Sequence, residues 1–229
     1  MHEAVILAGG YGTRLRQVVA DVPKPMAPIG GRPFLEIQLR MLDRKGVRHA
    51  VLAVGYLGHM ISDHFGDRCG NVALTYTVEQ SPLGTGGAMR MALERCRGDR
   101  AFVLNGDTYL DFDFDAAARL WQPDGRGVIV GRTVPDTARF GRLAVADGRV
   151  HGMVEKGAAG PGIINAGTYV LGRDQLAHVE APGAFSFEND YLARVLPTAP
   201  FQLFVADGLF IDIGVPEDFA RAQDLLAGK

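Results

Sequence analysis

The sequence predicts an α/β fold: a mostly parallel sheet with helices on both faces and a small antiparallel or mixed extension. Three observations predict it. Val5 to Ala8 is a continuous apolar run that halts at Gly9-Gly10, the signature of a strand buried on both faces. Strand-like and helix-like stretches then alternate as far as Leu104. After Gly127 that alternation gives way to short strand-like segments separated by Gly or Pro.

The elements follow in order. Pro33 to Gly46 has Leu35, Leu39 and Leu42 at helical spacing. Pro33 suits the first helical position and Gly46 the C-terminal cap. Ala50 to Val54 is a second apolar strand, Leu57 to Phe65 a second helix, and Val72 to Val78 alternates as a strand does. Gly87 to Cys96 reads as a helix and Ala101 to Leu104 as a buried strand. Beyond Gly127, the segments Val128–Val134, Arg142–Ala146, Val150–Glu155 and Ile163–Leu171 are strand-like. They are expected to lie over the end of the parallel sheet. Helices near Glu188–Leu196 and Pro216–Leu226 complete the pattern.

A chain of 229 residues suits one large α/β domain or two small ones. The net charge is −2 and no basic block occurs, so neither nucleic acid nor an anionic membrane is an expected partner. Cys69 and Cys96 lack metal-ligand spacing, and a reduced cytoplasmic protein is the simpler expectation. The short apolar start has no cationic flank. No stretch approaches the roughly 20 apolar residues of a membrane span.

Chemistry concentrates in a few motifs. Leu7-Ala8-Gly9-Gly10-Tyr11-Gly12-Thr13-Arg14-Leu15 follows the first strand, and Pro23-Lys24-Pro25 comes soon after. Glycines there let backbone N–H groups approach phosphate oxygens. Arg14 adds a planar fork and Lys24 a point charge. The third glycine of a dinucleotide fingerprint is missing, since Leu15 stands there, and no Gly-Lys-Ser/Thr of a P-loop follows. A plain tight turn with a solvated Arg is the bland alternative.

Asp107, in Leu104-Asn105-Gly106-Asp107-Thr108, lies just past a buried strand, at the edge where open α/β sheets bind ligands. It suits holding Mg²⁺ against phosphates, or capping a helix. Asp212 stands between Ile211 and Ile213 on a strand-like run. A charge so placed needs a partner, either a shared cation or a salt bridge. Pro82-Leu83-Gly84-Thr85-Gly86-Gly87 reads as a second glycine-rich turn before a helix, fit for a flat base to lie on. Glu79, just before it, has two acceptor oxygens for adjacent base donors, or is a solvated strand-end residue. Glu155-Lys156, Phe140-Gly141 and Asn165-Ala166-Gly167 suit a phosphate and sugar hydroxyls, each with an ordinary turn or surface alternative. Asp111-Phe112-Asp113 has the spacing of a glycosyltransferase metal motif but reads more easily as a loop.

Taken together, Ala8-Gly9-Gly10-x-Gly12-Thr13-Arg14-Leu15, Pro23-Lys24-Pro25, Leu83-Gly84-Thr85-Gly86-Gly87, Asn105-Gly106-Asp107, Glu155-Lys156, Asn165-Ala166-Gly167 and Asp212-Ile213-Gly214 resemble the sugar-1-phosphate nucleotidyltransferase family. The similarity spans nearly the whole chain. The run Pro23-Lys24-Pro25-Met26-Ala27-Pro28-Ile29 and the short chain look most like members that transfer GMP to a manno-configured heptose 1-phosphate. The chain stops soon after Asp218, so the β-helix domain of some relatives is not expected.

The resemblance implies a Rossmann-like fold and a division of labour. Residues 1–126 would bind a nucleoside triphosphate, GTP by the subgroup likeness, and residues 127–229 a sugar 1-phosphate. Leu7, Ala8, Gly9, Gly10, Gly12, Thr13, Glu79, Gly84 and Thr85 would face the nucleotide, and Arg14 and Lys24 its phosphates. Asn105, Gly141, Glu155, Lys156 and Asn165 would meet the sugar phosphate. Asp107 and Asp212 would hold Mg²⁺. Phe140 stands where many relatives have Tyr, which removes a hydroxyl from the sugar side. Uridylyl or thymidylyl transfer to another sugar phosphate, or a nucleotide-sugar sensor without catalysis, are the rival expectations. A homo-oligomer is compatible with the sequence.

Overall fold

The apolar run that opens the chain becomes the central strand, β1 (His2–Leu7), with a parallel neighbour on each side. The computed structural model describes residues 1–10, 15, 19, 21–154, 159–180 and 183–229. The strands that follow are β2 (Pro28–Ile29), β3 (Arg32–Pro33), β4 (Val47–Val54), β5 (Arg68–Cys69), β6 (Val72–Val78), β7 (Arg100–Asn105) and β8 (Thr108–Leu110). Then come β9 (Val128–Val134), β10 (Arg142–Ala146), β11 (Arg149–Val154), β12 (Gly162–Gly172), β13 (Phe201–Ala206) and β14 (Phe210–Asp212). The helices are α1 (Phe34–Arg44), α2 (Gly58–Phe65), α3 (Gly84–Leu93), α4 (Phe114–Leu120), α5 (Ala193–Val195) and α6 (Pro216–Leu225).

Among the described residues ten strands make one sheet, in the order β10-β11-β13-β9-β12-β7-β1-β4-β6-β5. Its centre, β7-β1-β4-β6, is parallel. From β7 outward the sheet continues through β12, which runs antiparallel to both β7 and β9. The expected extension therefore does not lie over the end of the parallel sheet. It joins edge-on, because the unpaired edge of β7 is satisfied by a long antiparallel strand rather than by a covering layer.

Side chains alternate across the parallel strands, and each face has its own core. Ile6, Leu52 and Leu104 pack with Phe34, Leu35, Leu39 and Leu42 of α1 on one face. Val5, Val51 and Val103 pack with Met89, Ala92 and Leu93 of α3, and with Phe187 and Leu192, on the other. Strands apolar on both faces are what a twice-covered sheet requires.

Several boundaries differ from the sequence expectation. Pro33 does not start α1; it is extended, at φ −54° and ψ 136°, and pairs with Pro28. Gly46 does follow the helix with φ +82°, where a side chain would be strained. The segment near Glu188 is a π-helical turn, Phe187–Leu192, ahead of the short α5. α3 begins at Gly84, so the glycines expected in a turn form its first coil. Tertiary packing overrides their poor helix propensity: the Phe185 ring occupies the space where a side chain at Gly86 would stand, and the Leu83 side chain the space at Gly87. β8, α4 and β13 had no counterpart in the sequence pattern. Asp113 caps α4 by accepting from Ala116 N at 2.9 Å, and Asp111 pairs with Lys45 at 2.6 Å.

Candidate active site

The parallel centre ends in a cavity of about 440 Å³. In register, Leu7 stands beside Ala53 on one side and Asn105 on the other. Their chains leave the sheet together, as at the carboxyl edge of any open α/β sheet. The ladder runs past the strand ends: Ala8 N donates to Ala53 O at 2.7 Å, Glu79 N to Val54 O at 3.0 Å, and Gly106 N to Leu7 O at 3.0 Å. Leu7, Ala8, Gly9, Gly10, Lys24, Glu79, Gly84, Thr85, Asn105 and Asp107 all line the cavity. Gly12, Thr13, Arg14, Glu155 and Lys156 lie outside the described residues.

Two of the glycines are required by contact. A Cβ at Gly9 would sit 2.7 Å from Glu79 Oε1 and 3.2 Å from Gly55 N. One at Gly106 would sit 2.5 Å from the carbonyl oxygen of Leu7. The strand ends close on each other only because these positions lack side chains.

A small ladder brings the backbones of the two aspartates together. β14 pairs antiparallel with β8, setting Asp212 opposite Thr108, and Ile213 N donates to Asp107 O at 2.9 Å. Lys24 Nζ donates to Asp107 Oδ2 at 2.5 Å. Gly214 N donates to Asp212 Oδ1 at 2.6 Å. A Cβ at Gly214 would lie 2.7 Å from Asp212 Oδ1 and 3.2 Å from Lys24 Nζ, so the missing side chain opens a cradle between the carboxylate and the ammonium. The Asp212 carboxylate stands on one side of that cradle and the Lys24 ammonium, itself bound to Asp107 Oδ2, on the other; the oxygens of these two aspartates are of the hard type that suits a divalent cation. Among the described residues no cluster of three or more His, Cys, Asp or Glu gathers, so further coordination would have to come from elsewhere.

Gln38 was not expected in this region. It is fully buried on α1, and its Nε2 donates to the carbonyls of Asn105, at 2.9 Å, and Thr108, at 2.6 Å. It thereby braces the turn that carries Asp107. A glutamine among Phe34, Leu35, Ile37 and Leu39 on the apolar face of a helix was the available signal. Glu79 has one oxygen engaged: Oε2 accepts from Leu83 N at 2.9 Å. Burial raises its carboxyl pKa, with the Leu83 amide opposing.

Gly141 and Asn165 are neighbours, Asn165 N donating to Gly141 O at 3.3 Å, but neither lines the cavity. Asn165 Nδ2 is spent on Tyr169 Oη, at 2.8 Å, and Glu188 Oε1, at 3.0 Å. A bulge after Asn165 in β12 turns Gly167 to φ +65°, where it abuts the Asn105 amide. Arg139, next to Phe140, reaches Asp218 in the first turn of α6 at 2.7 Å. Asp218 is buried and also pairs with Arg221.

The chain belongs to the nucleotidyl transferase family, whose model matches residues 3–228. It is 35% identical to the D-glycero-α-D-manno-heptose 1-phosphate guanylyltransferase of Aneurinibacillus thermoaerophilus, covering 96% of each chain. It is 36% identical to the protein of the same name from Campylobacter jejuni, covering 95% of this chain and 96% of that one. Among solved structures, HddC from Yersinia pseudotuberculosis complexed with GMP-PN superposes with a TM-score of 0.87 at 39% identity, over 98% of this chain and 99% of that one. No helix among the described residues is long and apolar enough to cross a membrane.

Proposed function

We propose that this protein transfers GMP from GTP to D-glycero-α-D-manno-heptose 1-phosphate, giving the GDP-sugar and pyrophosphate. The observation that carries the proposal is the gathering of the Gly9-Gly10 backbone, Lys24 and Asp107 around one cavity at the carboxyl edge of the parallel sheet, with Asp212 brought close by the β8–β14 pairing although it does not itself line the cavity. The full-length likeness to two heptose 1-phosphate guanylyltransferases supports the choice of substrates.

The chemistry is a single in-line displacement. An oxygen of the sugar 1-phosphate attacks the α-phosphorus of GTP. The bond from that phosphorus to the bridging oxygen breaks, and pyrophosphate leaves with the electron pair. No protein nucleophile is needed. The protein must align two anions and offset the charge that builds up between them. The N–H groups of Gly9 and Gly10 and the ammonium of Lys24 serve the nucleotide phosphates, and Arg14 adds a second cation. Lys156 and Glu155 serve the phosphate and a hydroxyl of the sugar, and Gly141 and Asn165 also serve the sugar phosphate. Residues 1–126 thus form the nucleotide side and residues 127–229 the sugar side. Mg²⁺, held by Asp107 and Asp212, would neutralise phosphate charge as a Lewis acid. In the free protein Lys24 offsets Asp107, and it is free to turn to a phosphate once another cation takes that role. Glu79 accepts the ring N–H and amino group of guanine.

Pyrophosphate release measured over a matrix of four triphosphates and several sugar 1-phosphates tests the proposal. Fastest turnover is expected with GTP and the manno-configured heptose 1-phosphate, and only with Mg²⁺ present. A higher kcat/KM for UTP or dTTP across the sugars would overturn the substrate choice and leave the reaction class standing.

A further inference from the structure

Glu188 had no part in the sequence motifs and does not itself line the cavity, yet its segment is tied to cavity residues from two directions. On one side, Phe187 N, one residue back, donates to Thr85 Oγ1 at 2.9 Å, and Thr85 lines the cavity. On the other side, Glu188 Oε1 accepts from Tyr169 Oη at 2.9 Å and from Asn165 Nδ2 at 3.0 Å. Tyr169 is 1% exposed, and Gly167, two residues before it, rests on the cavity residue Asn105.

The polarity of this network is one-sided. Asn165 has two amide hydrogens, and both are used, on Tyr169 and Glu188. The Tyr169 hydroxyl accepts from Asn165 and donates to Glu188. Two donors on Oε1 lock the carboxylate in one orientation, as only a buried pair of fixed partners can. Among the described residues the second oxygen, Oε2, takes no hydrogen bond, and Glu188 is only half-buried. What this corner offers a ligand is therefore an oriented acceptor. A carboxylate repels phosphate, so the matching group is an uncharged donor, and on a sugar phosphate that means a hydroxyl.

We propose that Glu188 is a specificity-determining residue for the sugar 1-phosphate: Oε2 accepts a hydrogen bond from one sugar hydroxyl, while Tyr169 and Asn165 hold Oε1. The assignment rests on the proposed sugar-phosphate chemistry of this site. Tyr169 and Asn165 are then positioning residues: both amide hydrogens of Asn165 are engaged, and its oxygen accepts from Gly167 N at 3.1 Å.

The test combines Glu188→Gln, Tyr169→Phe and a panel of heptose or mannose 1-phosphates each lacking one hydroxyl, with pyrophosphate release as readout. Glu188→Gln should raise KM for the parent sugar phosphate about tenfold, the scale of one charge-assisted contact, and leave KM for GTP within about twofold. Tyr169→Phe keeps the carboxylate and should change the sugar KM by less than about threefold. In the wild-type enzyme one deoxy analogue should lose about tenfold in kcat/KM, and Glu188→Gln should abolish that loss. An unchanged sugar KM in Glu188→Gln would overturn the assignment. So would an equal rise in Tyr169→Phe, which would make Glu188 a brace only. If Glu188→Gln does not fold, the wild-type panel decides: tolerance of every analogue refutes the proposal. No release with any substrate pair in the wild type would instead sink the activity itself, and this assignment with it.

Discussion

The parallel centre and the antiparallel extension build their parts of the site from different material. At the centre the cavity is lined in part by bare backbone: Gly9 lies against the Glu79 carboxylate and Gly106 against the Leu7 carbonyl with no room for a Cβ. In the extension the polar surface is made by side chains bound to one another over long sequence distances, Asn165 to Glu188 and Arg139 to Asp218. The two carboxylates belong to neither style alone. Asp107 leaves the parallel centre, and Asp212 is brought beside it by the β8–β14 ladder. A backbone site tolerates no added atom, whereas a side-chain site tolerates change in proportion to the bonds removed.

The largest effect is expected at the seam. Asp107→Asn and Asp212→Asn keep the side-chain volume and should each lower kcat by about 10²-fold or more, as when a main electrostatic stabiliser is lost. Circular dichroism and the melting midpoint should stay near those of the wild type. Near-normal turnover in the Asp212 variant would reduce it to a structural carboxylate.

Next in size is Gly106→Ala. Its Cβ would meet the Leu7 carbonyl at 2.5 Å, and backbone cannot swing aside as a side chain does. Stability should fall by about 1–3 kcal/mol, the usual cost of overpacking, measured by denaturant unfolding. An unchanged midpoint would mean that the strand ends yield, and the contrast between the two regions would weaken.

Glu79→Gln sharpens the comparison from inside the cavity. An amide offers guanine one acceptor where a carboxylate offers two, so kcat/KM for GTP over UTP should drop about tenfold. A constant ratio would hand base choice to the backbone around Gly84.

The smallest effect belongs to the extension. Arg139 is 57% exposed, and Asp218 keeps Arg221 when Arg139 is removed. Arg139→Ala should cost less than about 1 kcal/mol, in line with exposed ion pairs. The sugar KM should rise by less than about threefold as the Phe140-Gly141 segment loosens. A tenfold rise would make this pair a principal anchor of the sugar side.

The same contrast explains what the sequence disclosed. Glycine-rich turns after apolar strands are local signals, so the gathering of Leu7 to Gly10, Lys24 and Asp107 at one cavity could be expected from the sequence. The strand limits at Val72–Val78, Val128–Val134 and Arg142–Ala146 were legible too, since alternation and bounding Gly or Pro are local. Glu188 and Gln38 were not, because each acts on partners far along the chain: Glu188 on Asn165 and Tyr169, Gln38 on Asn105 and Thr108. The start of α3 was misplaced for the same reason, since its first coil packs on Phe185, a residue far along the chain: the ring fills the space at Gly86, and Gly86 N donates to Phe185 O at 2.9 Å. Edge-on growth of the sheet through β12 depends on strand pairing, which no local pattern encodes.

In the proposed reaction a nucleoside monophosphate passes directly from GTP to the sugar phosphate, with no covalent intermediate on the protein. GTP labelled at the α-phosphorus tests it most directly, incubated with Mg²⁺, the heptose 1-phosphate and the enzyme. The label should appear in the GDP-sugar, with one pyrophosphate released per labelled product and none retained on the denatured protein. Label recovered as free GMP, or covalently held by the protein, would contradict the account.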